Sequence, residues 1–348
     1  MTGYSASDRA VHSMALGHLD LQRSLAGVED RLYARALERV SLSRPVFVTS
    51  LPRAGTTLLL DILVGSGDFA SLAYRDMPFV LCPLLWQAAS RSFRQAPARR
   101  ERLHGDGVTI DIDSPEGFEE VLWKAYWPEK YGPQRIDLWS MSDRKAAFES
   151  AFRSHVRKVI AVRFSTEPAS RRYVSKNNTS VARLSLLAEV FPDCHILIPF
   201  RDPLSQAISL ARQHRNFLLQ QSEDSFVGRY MDWIGHYEFG ANRRPIAFTS
   251  AIDEDPGELA YWTAYWNLAY RHMLAATPEQ AIFLDFDRLS VEPSATLERM
   301  ANALGMPSER FCTAADRIRP PPRSGHSVDL ALPDSIMETY AALRARAL

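Results

Sequence analysis

Six consecutive residues near position 50 have the types and order of a phosphate-binding loop: Pro52, Arg53, Ala54, Gly55, Thr56 and Thr57. The β-branched and aromatic segment before them, residues 46–49, predicts a strand, and the leucine-rich segment after them predicts a helix. Between a strand and a helix, backbone N–H groups point at an anion, glycine lets the anion approach closely, and hydroxyl groups add donors. The pattern therefore predicts an anion site, and an ordinary turn before a helix is the alternative.

The loop lacks the lysine of a nucleoside triphosphatase. A GxxxxGK[ST] loop at this place would need glycine at position 50 and lysine at position 56, where the chain has Ser50 and Thr56. The cation of the loop is Arg53, in its middle. A kinase with a degenerate loop stays open as an alternative, and such a kinase would depend on ATP and magnesium.

The loop resembles the 5′-phosphosulfate loop of the sulfotransferase superfamily. That loop reads PK/R-S/A-G-T-T and binds the 5′-phosphate of 3′-phosphoadenosine 5′-phosphosulfate (PAPS). Arg53 in place of lysine, and Leu58 in place of the tryptophan of the cytosolic small-molecule enzymes, are more similar to the tyrosylprotein and general bacterial carbohydrate-type branches. The leucine leaves the residue that stacks on adenine unidentified. The resemblance implies a P-loop-like fold, PAPS as the donor and the desulfonated nucleotide PAP as the product.

A second sulfotransferase signature follows the apolar segment at 195–200. Family members carry an arginine at the end of this strand and a serine eight residues later, both of which bind the 3′-phosphate, and Arg201 and Ser209 match them. A guanidinium offers planar paired donors to a phosphate, and a hydroxyl on the following helix reaches the same anion. The alternative for Arg201 is a local ion pair with Asp202.

Three weaker similarities extend the resemblance over roughly residues 45–326. Residues 176–178 are similar to a KNP or KxP element on the cofactor side, and residues 283–297 are similar to a structural YEDL…DP..TL segment. Arg323 lies where family members bring a C-terminal loop onto the 3′-phosphate. The resemblance does not include the predicted N-terminal helices.

The resemblance also implies a metal-free, in-line transfer of a sulfuryl group to a hydroxyl or amine. Catalysis of this kind rests on positioning and on stabilising charge in the transition state. Arg53 would stabilise the leaving oxygen, and Thr56 and Thr57 would hold the 5′-phosphate.

An acceptor hydroxyl must also lose a proton, so a carboxylate or imidazole should lie near it. Asp76 lies near where tyrosylprotein-type enzymes keep a glutamate, and His104 lies further on, as the histidine of the small-molecule branch does. An ion pair with Arg75 or a helix cap is the alternative for Asp76, and an exposed loop position is the alternative for His104. Glu116 or Glu119 would take the proton if neither of the two does.

The elements that must position these residues alternate between strands and helices. Apolar segments at 46–49, 195–200 and 281–284 each lead into a helical segment, the last of which ends at Gly305. This alternation predicts an α/β fold, a mostly parallel central sheet covered by helices on both faces in a P-loop-like three-layer α/β/α arrangement. Helical spacing at residues 7–40, interrupted near Gly27, predicts a helical lead-in. We therefore expect a lead-in at 1–44 and a sulfotransferase domain at 45–348.

Composition gives the chain no overall bias toward a charged partner. Lysine plus arginine and aspartate plus glutamate both total 41 in 348 residues, so the net charge is zero and no nucleic-acid partner is indicated. The three cysteines, which have neither disulfide-framework nor zinc-ligand spacing, favour a reducing compartment. No secretion signal or membrane-spanning run is visible, so we expect a cytoplasmic protein, either monomeric or a homo-oligomer.

The acceptor is poorly specified by the sequence. Aromatic residues between 118 and 139 could form a platform for a sugar or an apolar alcohol, but a core between helices is the favoured interpretation. A glycan, a lipid or a small hydroxyl compound stays open as the acceptor. A protein that binds PAP or another anion without catalysis is the remaining alternative.

Overall fold

Five parallel strands form the central sheet of the computed structural model, which describes residues 5–91, 100–101, 109–248, 252–316, 318 and 331–348. The strands are β1 (Val46–Val48), β2 (Phe69–Ala70), β3 (Arg100–Glu101), β4 (Thr109–Ile110), β5 (Arg172–Lys176), β6 (His195–Phe200) and β7 (Ala281–Asp285). The sheet has the order β2-β5-β1-β6-β7, and β3 pairs with β4 in a separate antiparallel ribbon. Because β1 lies between β5 and β6, the residues that follow these strands meet at one edge of the sheet.

The helices surround this sheet and account for most of the remaining chain. In chain order they are α1 (Ala6–Gly17), α2 (Leu19–Leu32), α3 (Ala34–Leu37), α4 (Thr56–Gly65), α5 (Pro83–Ser90), α6 (Glu120–Tyr126), α7 (Ala146–Arg163), α8 (Leu184–Val190), α9 (Pro203–Glu223), α10 (Ser225–Ile234), α11 (Leu259–Ala275), α12 (Phe286–Val291), α13 (Pro293–Leu304), α14 (Cys312–Ala315) and α15 (Asp334–Arg346). Short 3-10 turns lie at 74–76, 128–130, 141–143, 168–170, 178–182 and 308–311.

Strand β1 shows how the sheet separates two cores. Successive strand side chains point to opposite faces. Accordingly, Phe47 packs in the larger core with the helices α7, α9 and α11, while Val46 and Val48 pack in a second core with α4 and α13. All three side chains are buried, as a strand covered on both faces requires. The predicted α/β fold with a parallel sheet between helical layers is confirmed.

The predicted helix ends are recognisable where a residue caps them. Asp202 caps α9, since its carboxylate accepts a hydrogen bond of 2.8 Å from the backbone N–H of Ser205, and Pro203 occupies the first turn. Gly305 ends α13 with a φ of 62°, which fits a glycine after a helix. Both helices therefore begin or end where their sequences predict.

The N-terminal helices differ from the expectation in where they break. Gly27 lies inside α2, with nothing within 4 Å of a Cβ built on it, so the helix continues through it. An interior glycine costs a helix only about 1 kcal/mol, and packing of α2 against α6 outweighs that cost. The predicted interruption near Gly27 is wrong, and the breaks lie at His18 and Tyr33. Leu16 and Val40 are buried in the larger core, and the division at residue 45 stays a prediction.

Candidate active site

The candidate residues meet at the carboxyl ends of the parallel strands, where α/β sheets bind their ligands. The loop at 52–57 follows β1, Lys176 ends β5, Arg201 follows β6, and Asp287 lies two residues after β7. Two backbone bonds of 2.9 Å fix this edge: Thr49 N–H donates to Leu197, and Asn177 N–H donates to Val48. The loop and the second signature are therefore held on neighbouring strands.

The loop has an unusual backbone conformation at two of its residues. Gly55 has a φ of 91° and caps α4, and the ring of Phe286 occupies the space that a Cβ at this position would need. Arg53 has a φ of 69°, in the left-handed region that residues other than glycine seldom adopt. Thr56 begins α4 and is buried, as is Ala54. Glycine at position 55 is thus required both by its φ and by the ring above it.

A buried glutamine on α9 holds the loop in this shape. The side-chain amide of Gln206 donates to the carbonyl oxygen of Pro52 at 2.9 Å. Its oxygen accepts hydrogen bonds from Trp266 at 2.9 Å and from the hydroxyl of Tyr270 at 3.1 Å. Gln206 is completely buried, so these bonds connect the loop to α9 and α11 without competition from water. Sequence reasoning missed this residue, because a lone glutamine in a helix carries no recognisable signal.

The two predicted phosphate-binding sets touch each other. Nε of Arg53 donates a hydrogen bond of 3.0 Å to the hydroxyl of Ser209, one helical turn beyond Gln206 on α9. The side chains predicted to contact the 5′ and 3′ ends of one nucleotide therefore lie side by side.

Arg201 is held at the same edge by Asp287. Its Nε lies 3.5 Å from Oδ1 of Asp287, whose other oxygen accepts a hydrogen bond of 2.7 Å from the backbone N–H of Asp202. Burial raises the pKa of Asp287 despite this donor and the Arg201 charge. Nε of Arg201 is buried and makes no hydrogen bond within the described residues. The partner of Arg201 is therefore Asp287 rather than Asp202, and its guanidinium keeps hydrogen-bonding capacity for an anion.

An aromatic ring lies between the loop and Arg201. Phe286 lies against Gly55, and its ring centroid is 5.9 Å from the Arg201 guanidinium. The sequence predicts a structural role for residues 283–289, but this contact brings one of them to the anion site. Phe286 gives the site an apolar face that a nucleobase could use.

Asp76 lies at this edge but is already engaged. It is 2% exposed, accepts a hydrogen bond of 2.8 Å from the backbone N–H of Ala73, and forms an ion pair with Arg163. The cap and the ion pair are the alternative that the sequence left open, but the cation is Arg163 and not Arg75, which pairs with Asp113. His104 and Arg323 lie outside the described residues, so their roles stay predictions.

Two further carboxylates lie close to the end of β5. Glu116 pairs with Lys176 at 3.2 Å and accepts a hydrogen bond of 3.1 Å from the hydroxyl of Tyr74. Glu119 is completely buried, and burial raises its pKa above the ordinary range. Its oxygens accept hydrogen bonds from Trp123 at 3.2 Å and from Tyr173 at 3.1 Å. Glu119 therefore belongs to the interior, and Glu116 to the strand edge.

The aromatic residues between 118 and 139 are mostly core, as the favoured interpretation has it. Phe118, Trp123 and Trp127 are at most 1% exposed, and Trp123 and Trp127 stack at 5.4 Å. A different set of aromatic residues lines a pocket beside the loop, with about 430 Å³ of empty space: Leu51, Pro52, Ile136, Asn178, Thr179, Leu210, Tyr237, Glu238, Phe239, Arg243, Arg244, Pro245, Ile246, Trp262 and Tyr265. We call it the Pro52 pocket.

No described helix is long and apolar enough to cross a membrane. In the same part of the chain, no group of three or more histidine, cysteine, aspartate or glutamate side chains is arranged to hold a metal ion.

Comparison with known proteins gives a family and a fold. The sequence pattern of the sulfotransferase family matches residues 45–310. Sulfotransferase STF1 from Mycobacterium tuberculosis H37Rv is 16% identical, with a TM-score of 0.50 over 94% of this chain and 84% of that chain. Sulfotransferase STF9 from Mycobacterium avium is also 16% identical, with a TM-score of 0.49 over 95% and 82% of the two chains. No curated protein sequence matches the chain.

Proposed function

The chain belongs to the sulfotransferase family, and from that premise we propose that it transfers a sulfuryl group from PAPS to a hydroxyl or amine of an acceptor. The observation that carries the proposal is the 3.0 Å hydrogen bond between Arg53 and Ser209, because it joins the two predicted phosphate-binding sets. A nucleotide with phosphates at both its 5′ and 3′ positions needs two such sets close together. An ordinary nucleoside triphosphate would leave the second set unused.

The residues at the strand edge suit such a nucleotide. The buried Nε of Arg201, which makes no hydrogen bond to a described residue, is a donor that a 3′-phosphate would complete. The N-terminus of α4 at Thr56 and Thr57 offers backbone and hydroxyl donors for the 5′-phosphate. Phe286 offers an apolar surface between the two.

PAPS would supply a sulfuryl group already activated as a mixed anhydride, so the protein has mainly to position the reactants and stabilise charge. Arg53 is the cation within the loop, and its left-handed backbone is held from outside by the Gln206 bond to Pro52. We assign it the stabilisation of the negative charge that develops on the leaving oxygen. The hydroxyl of Ser209 orients the Arg53 guanidinium by accepting a hydrogen bond from its Nε.

The residue that takes the acceptor's proton is a separate part of the proposal. Asp76 and His104 are the candidates from the sequence. The ion pair of Asp76 with Arg163 counts against it, because a base must leave that pair to reach an acceptor. His104→Asn and Asp76→Asn, assayed side by side for turnover with PAPS, test both.

Binding of PAP tests the donor assignment without knowledge of the acceptor. A ligand that binds only the native state raises its stability by RT ln(1 + [L]/Kd). We expect PAP to raise the melting temperature without magnesium, and ATP to raise it less. A larger shift with ATP and magnesium than with PAP would contradict the proposal and favour a kinase. Incubation of acceptor extracts with PAPS should then give products heavier by about 80 Da, the mass of the transferred group. PAP binding without any such product would favour a binding protein.

A further inference from the structure

The Pro52 pocket adjoins the phosphate loop, which places it next to the donor if the proposed function is correct. Its walls include Leu51 and Pro52 of the loop, Leu210 next to Ser209, and Asn178 after β5.

Aromatic rings give the pocket its flat apolar walls. Tyr237, Phe239, Trp262 and Tyr265 line it, and Phe239 and Trp262 lie 6.0 Å apart between ring centroids. Trp262 lies one helical turn before Trp266, which donates to Gln206 and so holds the loop. Because Trp262, Leu51 and Pro52 line the same pocket, a ring bound against Trp262 would lie beside the phosphate loop.

Arg243 brings a positive charge into these walls without an acidic partner. Its guanidinium lies 4.5 Å, 5.0 Å and 5.4 Å from the ring centroids of Tyr261, Trp262 and Tyr265, and it hydrogen-bonds the hydroxyl of Tyr261. Its Nε is buried without a hydrogen bond, and no carboxylate of the described residues forms an ion pair with it. The neighbouring Arg244 differs, since it lies 3.5 Å from Asp232 and donates to the carbonyl of Tyr131 at 3.1 Å.

Glu238 is a second polar group of the pocket, and its carboxylate accepts hydrogen bonds. The amide of Asn178 donates to Oε1 of Glu238 at 3.2 Å. Oε2 of Glu238 makes no hydrogen bond in the described structure and lies 3.4 Å from Nδ1 of His236. Asn178 is two residues beyond the end of β5, the strand beside the one that leads into the loop. Glu238 is thus the carboxylate of the pocket that lies towards the carboxyl ends of the strands.

We propose that the Pro52 pocket binds the acceptor, and that this acceptor is a hydroxy compound with a flat apolar body and a carboxylate, which Arg243 anchors while Glu238 faces the reacting hydroxyl. A half-buried guanidinium without a carboxylate of its own is complementary in charge to such an anion, and its planar fork matches the two oxygens. In the reaction the hydroxyl oxygen bonds to sulfur, the bond from sulfur to the phosphate oxygen of PAPS breaks with its electron pair leaving on PAP, and the hydroxyl proton passes to Glu238.

The carboxylate preference is tested on the full chain saturated with PAP. The probes are 3-(4-hydroxyphenyl)propionate, its methyl ester and 4-hydroxycyclohexanecarboxylate, titrated by calorimetry. We expect each acid to bind, and the aromatic acid to bind about tenfold or more tightly than its ester, because a charge-assisted bond is lost in the ester. Arg243→Gln should remove this preference and leave the ester affinity unchanged, while Arg243→Lys should keep part of it.

The affinity for PAP distinguishes a failure of this inference from a failure of the proposed function. It should be unchanged in Arg243→Gln, which also shows that the variant is folded. Equal binding of acid and ester, no binding of either acid to a chain that binds PAP, or an unchanged preference in Arg243→Gln would each overturn the inference. A wild-type chain that does not bind PAP would instead remove the proposed function, and the inference with it.

The role of Glu238 has its own test. Glu238→Gln keeps the size of the side chain and the bond to Asn178, so it should leave both affinities within about twofold while lowering kcat with PAPS about 100-fold or more. Full turnover in this variant would exclude Glu238 as the proton acceptor and return that role to His104 or Asp76.

Discussion

Arg183 and Arg243 both lie on aromatic rings, but their charges are met in different ways. The Arg183 guanidinium lies 3.9 Å from the ring centroid of Trp123 and 4.9 Å from that of Trp139, is completely buried and pairs with Glu120. Arg243 lies on three rings and pairs with no carboxylate of the described residues. The same stacking therefore occurs once with the charge compensated and once without.

The difference separates a structural site from a binding site. Around Arg183, the hydroxyl of Tyr131 and the amide of Asn177 complete the hydrogen bonds of Glu120. Nε of Arg183 also makes no hydrogen bond within the described residues, but its charge is compensated by Glu120 and it does not line the Pro52 pocket. Around Arg243, a donor remains unused beside an empty volume. Buried polar groups are normally satisfied, and an exception next to a cavity points to a partner that arrives from outside.

The largest effect should come from removing the compensated charge. Arg183→Met leaves Glu120 buried without its cation, which should lower the free energy of unfolding by about 3 to 5 kcal/mol. Arg243→Met is the matched control, because it leaves no carboxylate behind, and it should cost less than about 1 kcal/mol. Urea unfolding of both variants measures the loss in the free energy of unfolding. Equal losses would contradict the distinction between the two arginines.

The loop cation should matter for rate rather than for stability. Arg53→Ala removes the charge that we propose to stabilise the leaving oxygen, so kcat should fall by about 10² to 10³. Unfolding in urea should change little. Arg53→Lys is the control and should retain much of the activity, since the charge remains. A variant that lost stability to the same degree as Arg183→Met would place Arg53 among the structural arginines.

Arg201 should distinguish one phosphate from another. Arg201→Ala should weaken PAP binding by about 2 to 4 kcal/mol, because a charge-assisted contact is lost. Adenosine 5′-phosphate lacks the 3′-phosphate, and its affinity should change much less. Calorimetry measures the loss of affinity for both nucleotides. Equal losses would mean that Arg201 has only a structural role, in its ion pair with Asp287.

The smallest expected effect is the change that removal of the Arg243 charge makes to the titration of His214. Burial and the Arg243 charge lower the pKa of His214 to about 4, and Nδ1 of this histidine accepts a hydrogen bond of 3.1 Å from the backbone N–H of Gly240. The unfolded chain takes up this proton near pH 6.5, so stability should fall as pH drops from 6.5 toward 4, by at most about 1.4 kcal/mol per pH unit from this group. In Arg243→Met the NMR titration of His214 should move to higher pH. An unchanged titration would mean that burial alone sets this pKa.

The sequence predicted the parts of the site that follow strands. The loop at 52–57, Arg201 and Ser209 come from local patterns in which a strand end, a glycine and hydroxyls stand in a fixed order, and the parallel sheet then brings them together. The helix caps at Asp202 and Gly305 are equally local. Such features are readable because the residues that make them are neighbours in the chain.

The sequence could not predict contacts that only tertiary packing creates. Gln206 meets Pro52, Trp266 and Tyr270 from distant parts of the chain, and Arg163 reaches Asp76 across 87 positions. The Pro52 pocket likewise collects residues from position 51 to position 265. The aromatic residues of α11 show helical spacing, which identifies a buried helix but not the cavity beside it.

The bonds of Gln206 have a consequence for how quickly a donor can bind. A loop already fixed by a buried side chain does not have to be ordered when the nucleotide arrives, so the entropy of shaping it is lost during folding instead. Association should then be a single step whose rate grows linearly with nucleotide concentration, without a plateau set by a slow rearrangement of the loop. Whatever limits turnover in this protein, Gln206 makes the assembly of the phosphate loop a poor candidate.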